Sequence, residues 1–213
     1  MANITGTNKQ TKPTSKEIMT ILKKKTPKDY IIYSAIIIVG IILDQLTKYL
    51  VATFMSIGQS IPLINGFLHL TYITNDGAAF GSMDAPEHRW IFILISTVAI
   101  LAFSIYLYLG HADNMLYAVA IAMVISGGIG NMIDRLGFGF YVNPETGMGE
   151  VIDFIAFPSI WDPIFNGADS FVCVGAGLLM LALVLDIIKE SKAEKAKKAA
   201  EDGETEQSKD DAE

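Results

Sequence analysis

The sequence predicts an all-α membrane protein: four transmembrane helices with a small extracytoplasmic β-sheet at the outer membrane surface. Three observations lead there. Apolar residues make up 51% of the 213-residue chain, with a mean hydropathy of +0.39, and they gather in long runs instead of alternating with polar residues. Lysine is concentrated at the two ends, seven residues in 1–29 and six in 189–213, so that only Lys48, Arg89 and Arg135 carry fixed positive charge between them. The stretch His69–Thr74, between the first two apolar runs, is β-branched and aromatic in the manner of a short strand.

The elements follow in order. Residues 1–29 are polar and basic and read as a disordered cytoplasmic tail. The apolar run 30–51 is long enough to span a bilayer and has no small-residue cleavage site after a short core, so it reads as a retained helix and not a signal peptide. Three further spans are predicted at about 91–109, 115–135 and 168–188. Tyr30, Tyr49, Trp90 and Tyr108 fall at span edges, where interfacial aromatics belong. Between the spans, Asn75-Asp76-Gly77 followed by small residues suits a tight turn. The tail 189–213 is rich in Lys, Glu and Ala, helical near the membrane and disordered after Gly203. The chain thus divides into a basic tail (1–29), a membrane-embedded domain (30–188) and a charged tail (189–213).

Four spans put both termini on one side, and the lysines place that side in the cytoplasm. The connections 52–90 and 136–167 are then external. Asp44 and Lys48 end span one, Asn131 and Arg135 end span three, Asp153 lies in the second external connection, and Asn166 and Asp169 open span four. Together with Asn75 they share one depth, the outer membrane–water interface. Ionisable groups at a bilayer are expensive and imply a site with partners.

Composition removes several chemistries. Cys173 is the single cysteine and sits in an apolar run, where packing is its expected role. His69, His88 and His111 are far apart and no His-Glu-x-x-His helix exists, so neither a metal nor another cofactor is expected. No aromatics interleave with the tail lysines as a nucleic-acid platform requires. The C-terminal tail, where nine Asp and Glu follow Lys189, adds to the net charge of −7.

Among the remaining residues, Asp153 and Asp169 are the pair best suited to acid–base work. Two carboxylates roughly 3 Å apart cannot both ionise, so one can take a proton from water while the other, protonated, polarises a carbonyl. Spacing alone leaves another arrangement open, in which Asp169 caps span four and Asp153 faces water. Asn131 and Arg135 share a helix face and can hold a carbonyl and a lipid phosphate, or Arg135 can snorkel and pair with Asp134. Asp44 and Lys48, four apart, form a plausible internal brace. Asn75 and Asn166 are turn residues or orienters of the dyad.

Five stretches together resemble the lipoprotein signal peptidase family, also called signal peptidase II. They are Asp44-Gln-Leu-Thr-Lys48, Asn75-Asp-Gly-Ala-Ala-Phe80, Gly127-Gly-Ile-Gly-Asn-Met-Ile-Asp-Arg135, Val151-Ile-Asp-Phe154 and Phe165-Asn-Gly-Ala-Asp-Ser170. The resemblance covers about 30–188 and implies a membrane-embedded aspartic endopeptidase of the bacterial cell membrane. Such an enzyme removes signal peptides from diacylglyceryl-modified prolipoproteins, cutting before the lipidated cysteine. The resemblance implies Asp153 and Asp169 as the catalytic dyad. Asn75, Asn131, Arg135 and Asn166 would line the site, and Asp44 and Lys48 would support it. The implied partners are prolipoproteins and membrane lipid, with no nucleic acid and the oligomeric state open. The segment 136–152 looks longer than the usual family connection, and Asp162 is a rival carboxylate, discounted because a Pro-flanked turn aspartate faces water. Two other readings compete: a Ser–Lys site built from Ser170 and Lys48, and a small transporter or channel subunit.

Overall fold

The computed structural model describes residues 26–76, 88–109 and 114–210, with side chains throughout those ranges except at 88–89 and 196–210. Four helices are long and apolar enough to cross a membrane, and a small antiparallel sheet joins them. The chain runs α1 (Pro27–Phe54), β1 (Ser60–Ile64), β2 (Leu68–Asn75), α2 (His88–Tyr108), α3 (Met115–Arg135), β3 (Val151–Phe157), β4 (Trp161–Phe165) and α4 (Gly167–Asp210). The four spans fall where the apolar runs predicted them. Two boundaries are corrected: α4 continues through Gly203 to Asp210, because the Lys/Glu/Ala composition of its end favours helix over coil, and α1 begins at Pro27, inside the tail expected over 1–29, because Pro27 and the Thr26–Asp29 cap start the helix there. The rest of that tail, 1–25, together with residues 77–81 of the expected turn and the connection at 110–113, lies outside the described residues.

Local sequence explains the helix starts. Pro27 occupies the first turn of α1, and the Asp29 carboxylate accepts the Thr26 backbone N–H at 2.8 Å. The Asn114 side chain caps α3 by accepting the Leu116 N–H at 3.0 Å. Helix α3 is the centre of the bundle and packs against α1, α2 and α4. It can do so because its inward face is small: Ala118, Ala120, Ala122, Ser126, Gly127 and Gly130. A Cβ on Gly127 would collide with the Ala168 backbone carbonyl of α4. Without a hydrophobic drive between helices in lipid, such close backbone approach is what holds them together. The opposite faces of α1, α2 and α4 expose Leu, Ile and Val, as lipid-facing surfaces should.

The sheet has the order β1-β2-β3-β4, every pair antiparallel. Its first two strands come from the connection after α1 and its last two from the connection after α3. These connections leave the same end of the bundle, so the sheet ties them together there. Val51 of α1 packs under it with Tyr72, Ile152 and Phe154. The β2–β3 register sets Ile73 opposite Asp153 and Asn75 opposite Val151.

Candidate active site

Helix α1 supplies the base of the site. Asp44 and Lys48 lie one turn apart on its buried face and pair at 2.9 Å, as their spacing predicts. The Lys48 ammonium also meets Asp134 of α3 at 2.5 Å and donates to the Asn131 carbonyl at 2.9 Å. The ammonium therefore meets three partners, all of them buried. The second Asp44 oxygen accepts the backbone N–H of Ala168, in the first turn of α4, at 2.7 Å. A carboxylate there sits at the positive end of a helix dipole. Gly130 makes room, since a Cβ at that position would come within 2.5 Å of the Asp44 carboxylate.

The start of α4 presents Asp169. Asn166 precedes the helix, and its side-chain carbonyl accepts the Asp169 N–H at 2.9 Å. In return Asp169 Oδ2 accepts the Asn166 N–H at 3.2 Å, a reciprocal cap. Asp169 does take part in capping span four, but its Oδ1 is turned to Asn131, which donates to it at 2.8 Å. One carboxylate thus serves both the cap and the cluster, and it is half-buried.

Strand β3 brings in Asp153, which is buried and does not face water. Asn75, at the end of β2, donates to Asp153 Oδ2 at 3.0 Å, and Asn166 donates to Oδ1 at 2.6 Å. The other Asn166 N–H goes to the Asn131 carbonyl at 3.0 Å. Asp153 and Asp169 are therefore joined through Asn166, which bonds both, while Asn131 bonds Asp169 and Asn166, with Lys48 behind them. Burial pushes the Asp153 carboxyl up from 3.8 to about 7, the neighbouring Asp169 charge adds to the rise, and the amide donors and Lys48 oppose it.

Seven of the eight predicted site residues thus fall into one hydrogen-bonded cluster. Arg135, the eighth, is half-buried at the end of α3 with its guanidinium 5.9 Å from the centre of the Phe92 ring. Its pairing with Asp134 is not what the structure forms, because Asp134 turns inward and gives its charge to Lys48. Gln45 escaped the sequence analysis. Its amide reaches Asp44, the Gly130 carbonyl and Asp134, each at 3.2 Å, and tightens the same brace. A polar residue beside Asp44 inside an apolar run was the available signal. Ser170 donates to the Asn166 backbone carbonyl at 2.9 Å, and the Lys48 ammonium is turned to Asp44 and Asn131, so no Ser–Lys pair forms. Asp162 is exposed on β4, away from the cluster. Cys173 lies on an exposed face of α4 rather than in helix packing. Among the described residues no group of three His, Cys, Asp or Glu is placed to hold a metal ion.

A family profile described as signal peptidase (SPase) II matches residues 36–185. The lipoprotein signal peptidase of Halalkalibacterium halodurans is 39% identical over 170 residues, which is 79% of this chain and 99% of that protein. That of Halothermothrix orenii is 41% identical over 148 residues, 70% of this chain and 92% of the relative. Two solved structures of bacterial membrane enzymes obtained by the in meso method are similar, each at 35% identity. One has a TM-score of 0.62 and covers 73% of this chain and 88% of its own; the other has 0.59, with 71% and 91%.

Proposed function

The chain belongs to the signal peptidase II family, a family of membrane proteases that process prolipoproteins, and from that premise we propose that it is an aspartic endopeptidase whose Asp153 and Asp169 activate water. The observation that carries this reading is the pair of carboxyls, one from a strand and one from a helix start, held by Asn75, Asn131 and Asn166. Membership also displaces the transporter reading, and the polar residues support that by collecting at one end of the bundle.

At neutral pH the pair holds one proton. The protonated carboxyl donates to the scissile carbonyl oxygen while the ionised one takes a proton from the attacking water, giving a neutral tetrahedral diol. Collapse returns a proton to the leaving nitrogen and regenerates the pair. A carboxyl raised to about 7 supports this, since it keeps its proton where an ordinary aspartate has lost it. The asparagines hold both carboxyls in place, and Lys48 orients Asn131 from behind. Arg135, at the end of α3, is suited to a lipid phosphate or the substrate backbone.

The lysine distribution supports a topology with both termini in the cytoplasm and this site at the outer leaflet of the cell membrane. The lipidated cysteine of a prolipoprotein lies at that depth, so cleavage falls just before it. Single-turnover cleavage of a diacylglyceryl-modified prolipoprotein by wild type and Asp153→Asn tests the proposal. Cleavage by wild type alone, with the variant folded and inserted, is expected; equal cleavage by both would reject the dyad.

A further inference from the structure

Between α3 and β3 the chain makes an ordered excursion that the proposed chemistry does not use. Helix α3 ends in a Schellman turn: Gly137, at φ +82°, donates to the Asp134 carbonyl at 2.9 Å and Phe138 to that of Ile133 at 3.0 Å. The chain then runs extended and folds back on itself. Asn143 N–H bonds the Met148 carbonyl at 2.7 Å, Glu150 N–H bonds that of Tyr141 at 3.2 Å, and Val142 bridges Gly149. The turn is fastened by Asn143, which accepts the Glu145 N–H at 2.8 Å and donates to Glu150 at 2.6 Å. The result is a small flap over 137–150 that feeds directly into the strand bearing Asp153.

Its two faces are unlike. The inward residues are Gly139, which lies so close over the Asp134 carboxylate that a Cβ would collide with it, and Tyr141, which packs on the Val51–Tyr72–Phe154 core. The outward residues alternate with these and are all apolar: Phe138 is 78% exposed, Phe140 46% and Val142 46%, with Leu136 at 45% just before them. A flap facing water would present polar side chains at these positions and apolar ones inward. The outward face is also continuous with the lipid-facing side of α1. The Phe140 ring meets the Tyr49 ring at 5.4 Å, and Leu46, Tyr49 and Leu50 are exposed on the span beside it.

We propose that this flap is a membrane-inserted wedge: Leu136, Phe138, Phe140 and Val142 pack against acyl chains of the leaflet on the active-site side, while the Pro144–Gly147 turn stays in water. Its partner is bilayer lipid. The polar tip and apolar flank divide as an interfacial segment should, in the way amphipathic helices do at the same boundary. The wedge fixes the depth at which β3 enters the sheet, and with it the depth of Asp153. It rests only on the protein being membrane-embedded, so it stands or falls independently of the dyad.

Depth-dependent quenching tests it. Phe138→Cys, Val142→Cys and Glu145→Cys are made separately in a Cys173→Ser background, labelled with bimane and reconstituted in phosphatidylglycerol/phosphatidylethanolamine vesicles. Leu46→Cys serves as the lipid-facing control. Labels at 138 and 142 are expected to lose fluorescence to nitroxide-bearing phospholipids as fully as the label at 46, and the label at 145 to aqueous iodide. Quenching of 138 and 142 by iodide instead would overturn the proposal in favour of a water-facing flap. Quenching by neither reagent would overturn it in favour of cover by protein, a second copy included.

Discussion

Asp153 is a buried carboxyl that accepts amide N–H bonds on both oxygens, and burial still raises it from 3.8 to about 7. Folding therefore favours its neutral form. The sign for stability follows: the contribution is complete below the unfolded value and is lost as pH rises through about 7, a swing of about 4 kcal/mol. Asp153→Asn removes that titration. Between about pH 4 and about pH 8 the variant should gain on wild type by a few kcal/mol in detergent unfolding, even though the proposed mechanism expects it to lose cleavage. Under the proposed mechanism the same value sets the alkaline limb of activity. Turnover by wild type should fall as pH rises above about 7, about tenfold per pH step once the shared proton is gone, as read from a pH profile of single-turnover rates. A rate that stays level to about pH 9 would show that no group of this kind must be protonated.

At the scale of elements, the helices meet through glycines whose neighbours differ in how far they can yield. A Cβ on Gly127 would strike the Ala168 carbonyl, which belongs to the α4 backbone and cannot move alone. A Cβ on Gly128 would come within 3.1 Å of Ile100 on α2, a side chain that can change rotamer. Gly127→Ala should therefore cost about 1–3 kcal/mol and part α3 from α4 beneath Asp169, while Gly128→Ala stays within about 1 kcal/mol; thermal unfolding of the two in one detergent compares them. The sequence spelled out the helices because length and apolarity are sufficient evidence of a span. It was poorer on the sheet. Only His69–Thr74 was readable as a strand, since β1 carries Pro62 and is exposed along its length, and β4 contains Trp161-Asp162-Pro163. Those strands exist because pairing with β2 and β3 satisfies their backbone, a long-range cause that local composition does not record. The partner of Asp134 was hidden for a similar reason. Arg135 is next in sequence, but one residue is a 100° turn of the helix, and it directs Asp134 to Lys48 instead.

Across the whole molecule, the Asp44–Lys48–Asp134 brace joins α1 to α3 in a place water does not reach. Lys48→Met would leave two buried carboxylates facing each other without their cation, at a cost of about 3–5 kcal/mol. Lys48→Met with Asp134→Asn should recover part of that loss while leaving Asn131 without its rear donor. Stability restored together with cleavage that stays slow would separate bracing from positioning. The site's position at one end of the bundle was legible from span counting, because polar residues far apart in sequence each fell at the same end of a span. The side of the membrane is a separate inference, resting on lysine asymmetry, and it can be tested directly. In a Cys173→Ser background, Glu145→Cys on the flap turn should react with a membrane-impermeant maleimide in intact cells, and Ser191→Cys beyond the fourth span should react only after lysis. Both positions are exposed, so accessibility within the protein does not bias the comparison. The reverse pattern would put the carboxyl pair on the cytoplasmic face, away from the leaflet that holds a lipidated substrate, and the proposed cleavage would lose its geometry even with the dyad intact.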